Sequence, residues 1–155
     1  MISLKFSEIE EKSWDELRPY LDTAVLPVTG LGGGETPWET TMALEHLRDA
    51  LDLIEIPFKG RIVTYPAMHF VNDAHQAPEG MLLEQVSAGL KNAGFRFVVV
   101  VTAKSEQELG DKQLVGEHVD LLLRCPPDEL RLSGNEAKRK ATELMANLWN
   151  GSPSS

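Results

Sequence analysis

A three-layer α/β domain of Rossmann-like or flavodoxin-like type, with about four parallel strands, is the fold class this sequence predicts. Apolar runs at Leu21–Val28, Arg61–Phe70 and Phe95–Val101 are each followed by turn residues and then a helical pattern. That alternation is the signature of parallel strands joined by crossovers. Four consecutive valines, Val98–Val101, suit a strand covered on both faces, and so a central one. Right-handed crossovers then make 2-1-3-4 the simplest strand order, with any ligand site at the strand carboxyl ends.

Each element has its own local justification. Ser7 and Glu10 have capping-box spacing ahead of Ile9, Trp14 and Leu17, which predicts a short helix before Pro19. The first strand runs from about Asp22 to Val28 and empties into the glycine-dense loop Thr29–Glu35. Thr36 caps the next helix, Pro37 suits its first turn, and Glu39 completes a second capping box. Ala43, Leu44, Leu47, Ala50, Leu51 and Ile54 recur at helical spacing as one buried stripe, and Pro57 stands where it ends.

Ile62, Val63 and Tyr65 carry the second strand until Pro66, which lacks a donor. Pro78 opens a helix with Leu82, Val86, Leu90 and Ala93 inside, Gly89 on the same face for close approach to the sheet, and Gly94 as the stop. Ser105 and Glu108 repeat the capping spacing after the valine strand, although Gly110 and Gly116 weaken any helix there. Val119–Leu123 reads as a fourth strand. A last helix near Asn135–Trp149 buries Ala137, Ala141, Leu144, Met145 and Leu148. Residues 1–150 are expected to form one domain and 151–155 a disordered tail.

Composition narrows the function. A formal charge of −9 opposes general binding to nucleic acid or an anionic membrane. The one dense basic run, Lys138-Arg139-Lys140, reads as a solvated helix face. No apolar run approaches the roughly 20 residues of a membrane span, so no membrane insertion is expected. The start of the chain lacks both a basic opening and an apolar signal core, which points to a cytoplasmic protein. The single Cys125 excludes an internal disulfide and reads as a buried thiol at a strand end.

The expected working edge is a crevice between the glycine loop and Thr102–Ser105, with the loop after the second strand as a wall. Its candidate contacts are Thr29, Gly30, Gly32, Gly33, Gly34, Glu35, Trp38, Thr102, Lys104 and Ser105. Gly30 and Gly32 match the first two glycines of G-x-G-x-x-G, but Glu35 takes the third position and no Gly-Lys-Ser/Thr follows. Glu35 and Glu39 would repel a phosphate at that helix start, so nucleotide binding is the weaker alternative. Trp38 could present an aromatic surface at the crevice or pack under the glycine loop, and the second is the expectation.

A metal-dependent hydrolase is the enzymatic alternative. His69, Asp73 and His75, beside Asn72, are suitable ligands for a divalent transition metal that activates water. Their spacing fits no known ligand motif, and His46 and His118, with Glu45 and Glu117 beside them, lie far away in sequence. No G-x-S-x-G elbow is present. The expectation is therefore a binding or assembly module without catalysis and without a resident cofactor, whose partner is a small molecule or a protein.

Asp22-Thr23-Ala24-Val25-Leu26-Pro27, Phe58-Lys59-Gly60-Arg61, and Leu90-Lys91-Asn92-Ala93-Gly94-Phe95 through Val101-Thr102 together resemble the landmarks of the YpiF-like family, short uncharacterised bacterial proteins. The resemblance covers roughly Asp22–Glu106 and implies no activity or catalytic residue. The segment Leu26–Trp38 is also similar to the LPVGS opening of creatininase-like amidohydrolases, which continue into a Glu-Gln-His-Gly metal motif. Here Leu31–Trp38 holds no histidine and only Glu35 as a carboxylate. That resemblance implies a degenerate, non-catalytic relative.

Overall fold

The computed structural model describes residues 11–71, 78–111 and 114–151. Four strands, β1 (Thr23–Val28), β2 (Ile62–Thr64), β3 (Phe97–Thr102) and β4 (Leu121–Arg124), form an all-parallel sheet in the order β2-β1-β3-β4. Helices α1 (Glu11–Leu17), α2 (Pro37–Phe58), α3 (Pro78–Asn92) and α4 (Pro127–Trp149) flank it. The expected fold class and strand order are both present.

Alternation along the central strands assigns the two faces. Val25, Val99 and Val101 point toward α2 and α4, where Ala50, Ile54, Ala137, Ala141 and Met145 complete one core. Leu26, Val28 and Val100 point the other way, onto Leu83, Leu109 and Leu114. Ala24 and Val98 continue that second face onto Leu90, Phe95 and the flank of Trp14. Every residue of β1, and Val98 through Thr102 of β3, is buried, as a doubly covered strand requires.

The helices show where periodicity sufficed and where it did not. In α2, Thr36 and Glu39 form the full reciprocal capping box, and Leu47, Ala50 and Ile54 are buried. Leu44 is exposed instead, and Pro57 sits inside the last turn with the helix reaching Phe58. In α3 the inward face is Leu83, Val86, Ser87 and Leu90; Leu82 is exposed. Ser87 is tolerated inside because its hydroxyl donates to the Leu83 carbonyl at 2.8 Å. Gly89 is exposed with open space beyond it, so close approach to the sheet is not its role. Gly94 takes φ +116° and ends the helix as expected.

The crossover from β3 to β4 carries turns and no α-helix among its described residues. Ser105 and Glu108 exchange both capping bonds, Ser105 N–H to Glu108 Oε1 at 3.1 Å and Glu108 N–H to Ser105 Oγ at 3.3 Å. Gly110 follows before any apolar stripe can develop, so the box closes a turn. Fully buried Leu109 and Leu114 cover the sheet in place of a helix. Helix α4 begins at Pro127, earlier than its apolar stripe suggests, and its path breaks at Ser133 (φ −148°, ψ 53°). The expected capping pair at Ser7 and Glu10, and the tail beyond Gly151, lie outside the described residues.

Candidate functional site

β1 and β3 are neighbours whose connections leave toward opposite faces, so their carboxyl ends open a crevice. A cleft of about 620 Å³ lies there, lined by Thr29, Glu35, Trp38, Lys104 and Ser105 of the expected set and by Leu31 beside them. Met42 and His46 of α2 and Asp128 and Arg131 of α4 line it as well. Gly30, Gly32, Gly33, Gly34 and Thr102 are not in the lining. Thr102 is fully buried beneath it, its Oγ1 accepting the Lys104 N–H at 3.2 Å.

The glycine loop folds around its own carboxylate. The Gly32 N–H donates to Glu35 Oε2 and the Gly33 N–H to Glu35 Oε1, both at 2.9 Å. These bonds, that from Gly32 foremost, hold the Glu35 carboxyl below the usual glutamate range. Amides of this kind would cradle a phosphate, and here Glu35 already occupies them. Positive φ at Gly30 (+81°) and Gly33 (+99°) lets the chain make this wrap. A Cβ at Gly30 would also stand 3.0 Å from Lys104 Cγ, so the two cleft walls meet closely at that point.

Several other charged and polar groups there are similarly engaged. The Thr36 N–H and hydroxyl both donate to Glu39 Oε1, at 3.0 and 2.8 Å, which holds the Glu39 carboxyl low. Lys104 Nζ lies 3.8 Å from Glu108, and Arg131 pairs with Asp128. Arg124 donates to the Lys104 carbonyl (3.2 Å) and to Asp111 (2.6 Å), pinning the β3–β4 crossover against the sheet.

Apolar surface at the mouth is less committed. Trp38 is 65% exposed and Met42 45% exposed, one helical turn apart. This corrects the expectation that Trp38 packs beneath the glycine loop. The reason is local: Trp38 sits in the first turn of α2, ahead of the buried residues Leu47, Ala50 and Ile54, while Leu31 of the loop is buried in its place.

The segment after β2 behaves differently from the expected wall. Beyond Pro66 it rejoins the sheet: Met68 N–H donates to the Pro27 carbonyl (2.8 Å), and Met68 accepts from Thr29 N–H (3.1 Å). Leu31 N–H then reaches the His69 carbonyl at 2.7 Å. His69 Nδ1 hydrogen-bonds Thr29 Oγ1 at 2.8 Å, so the imidazole anchors the base of the glycine loop. No residue from Tyr65 through Val71 lines the cleft. Asp73 and His75 lie outside the described residues.

Sequence reasoning missed the α4 contribution, Asp128 and Arg131, whose available signal was Pro126-Pro127 directly after the fourth strand. Cys125 is buried as expected, and burial pushes its thiol up to about 11. Within the exposed basic run, Arg139 pairs with Glu136 and Glu143 on the face of α4. Among the described residues, no helix is long and apolar enough to cross a membrane.

Residues 12–141 match the family described as Protein of unknown function (DUF2487). No curated protein and no solved structure matches the chain. The family match does not extend to the YpiF-like or the creatininase-like resemblance.

Proposed function

The chain belongs to the DUF2487 family of unknown function, and from that premise we propose that it is a binding or assembly module without catalysis. Its contact site is the carboxyl-edge cleft between the glycine loop, the first turns of α2 and the Lys104–Ser105 segment. The occupant is an uncharged, largely apolar group, offered by a protein partner or a small molecule. The observation that carries this reading is the exposed Trp38–Met42 pair beside a cleft whose carboxylates are already bonded within the chain. Exposed aromatic and methionine side chains beside a concavity supply contact area at little desolvation cost.

Two rival readings have less support. A nucleotide phosphate would have to displace Glu35 from the Gly32 and Gly33 amides. A hydrolytic metal at His69 would have the Nε2 to bind while Thr29 holds Nδ1, but among the described residues no group of three ligands includes His69. A bacterial setting, as the YpiF-like resemblance implies, and a cytoplasmic one are part of the proposal.

Co-purification from the native cell, followed by mass spectrometry of proteins and small molecules, tests it. The wild-type chain should retain a defined companion that a Trp38→Ala/Met42→Ser variant of unchanged melting temperature loses. Identical companions for both proteins would remove the cleft from the account.

A further inference from the structure

Away from the cleft, three metal-ligating side chains converge between α3 and the end of the β3–β4 crossover. Glu84, Glu117 and His118 each place one ligand atom within 4.8 Å of the others, and among the described residues no other such group occurs. From this convergence we infer that the chain binds one divalent transition metal there, zinc being the best fit to an imidazole and two carboxylates.

The site is built rather than incidental. Glu84 reaches across from α3 because Gly116 has no side chain: a Cβ there would stand 1.7 Å from Glu84 Oε2 and 2.8 Å from its Cδ. The carboxylate is fixed in that position by the His118 N–H, which donates to Oε1 at 3.1 Å. His118 Nδ1 also contacts Glu84 Oε1, so imidazole and carboxylate already face one another. The Glu117 side chain stands alongside, exposed and able to swing.

Ligand atoms around a tetrahedral zinc lie roughly 3.3–3.6 Å apart, given bonds of about 2.0–2.2 Å. Closing this set onto a cation asks for a shift of about an ångström, which the exposed Glu117 can supply. A cation bound at Nδ1 would replace the His118–Glu84 hydrogen bond, the neutral imidazole then carrying its proton on Nε2. Water completes the coordination. The metal then ties residues 116–118 to α3, at the far end of the crossover whose beginning forms a cleft wall.

Calorimetric titration of Zn²⁺ into tag-free, chelator-stripped protein tests the site. Wild type should bind one equivalent per chain with a dissociation constant in the micromolar range or tighter. Glu117→Gln, a surface change that leaves the metal-free melting temperature unaltered, should weaken binding at least tenfold. His118→Ala should abolish it. Gly116→Ala should abolish it too while keeping all three ligands, because the new methyl takes the place of the Glu84 carboxylate. No saturable binding, or binding unchanged in Glu117→Gln and His118→Ala, would overturn the inference. Binding that survives His118→Ala but disappears in His75→Ala would also overturn it, moving the metal to the segment after β2.

Discussion

Two tryptophans mark the two ends of the sheet, and they are used in opposite ways. At the amino end, Trp149 folds back from the end of α4 and donates its indole N–H to Thr23 Oγ1 at 2.8 Å. Phe58 meets its ring edge-on at 4.8 Å, and the Arg61 guanidinium stacks 4.2 Å above it. Arg61 in turn grips Asp22 through two 3.0 Å hydrogen bonds. At the carboxyl end, Trp38 stands largely in solvent beside an open cleft. One end is locked by side chains from three distant parts of the chain, and the other is left available. An end already filled with interlocking partners holds structure together, while an end with unspent apolar surface can take a partner.

Exchanging the two tryptophans for alanine should break the comparison most visibly. Trp149→Ala removes a stacked ring, a cation–π contact and a hydrogen bond, and should cost about 3 kcal/mol in urea unfolding. Trp38→Ala should change stability by no more than about 0.5 kcal/mol. Equal losses would erase the distinction between a structural end and a working end.

A smaller effect separates positions within the glycine loop. Gly30→Ala forces a side chain into φ +81° and against Lys104, and should cost about 2 kcal/mol. Gly33→Ala meets open space at φ +99° and should cost only about 1 kcal/mol, from backbone strain alone. The loop is then structural at its base and permissive at its tip.

The pH dependence of the loop follows from Glu35. Its carboxyl is held below the ordinary glutamate value of 4.5, chiefly by the Gly32 amide. The folded protein therefore gains a stabilising contribution that is complete above the unfolded value and fades as pH falls through the depressed one. Glu35→Gln should flatten the acid side of the stability curve in that window, and a ¹³C titration of the Glu35 carboxyl should show the depression directly. An ordinary glutamate titration would mean that the amides do not hold this carboxylate in solution.

Cys125 should show the smallest effect, on reactivity alone. A buried thiol pushed up to about 11 should react with a disulfide reagent far more slowly at pH 7 than a free cysteine does. Rapid labelling in native buffer would show that the β4–α4 junction opens readily.

Much of the fold was legible because its signals are local or strictly periodic. Val98–Val101 announced a doubly covered strand, and Thr36-Pro37 with Glu39 announced the start of α2. The misses have physical causes. Leu82 and Leu83 both fit a helical stripe with Leu90, and only the sheet they pack on selects Leu83. Ser105 and Glu108 make capping bonds whether or not a helix follows, so the motif cannot predict its length.

The candidate site was legible in part. Thr29, Glu35, Lys104 and Ser105 sit on connections from adjacent strand ends, which topology alone can bring together. The bonds of Glu35 to its own loop, the outward turn of Trp38 and the convergence of Glu84 with His118 depend on contacts no spacing rule encodes. Gly116 matters to that convergence through the volume it leaves empty, which is invisible until Glu84 is seen to fill it.

The most direct test of the open end uses a photoreactive phenylalanine analogue placed at Trp38, and separately at Tyr20 and Ile56, which are also exposed. After irradiation in the native cell, position 38 should give an adduct of discrete mass that positions 20 and 56 do not. No adduct at 38, or the same adducts at all three positions, would contradict the assignment of this cleft as the contact site.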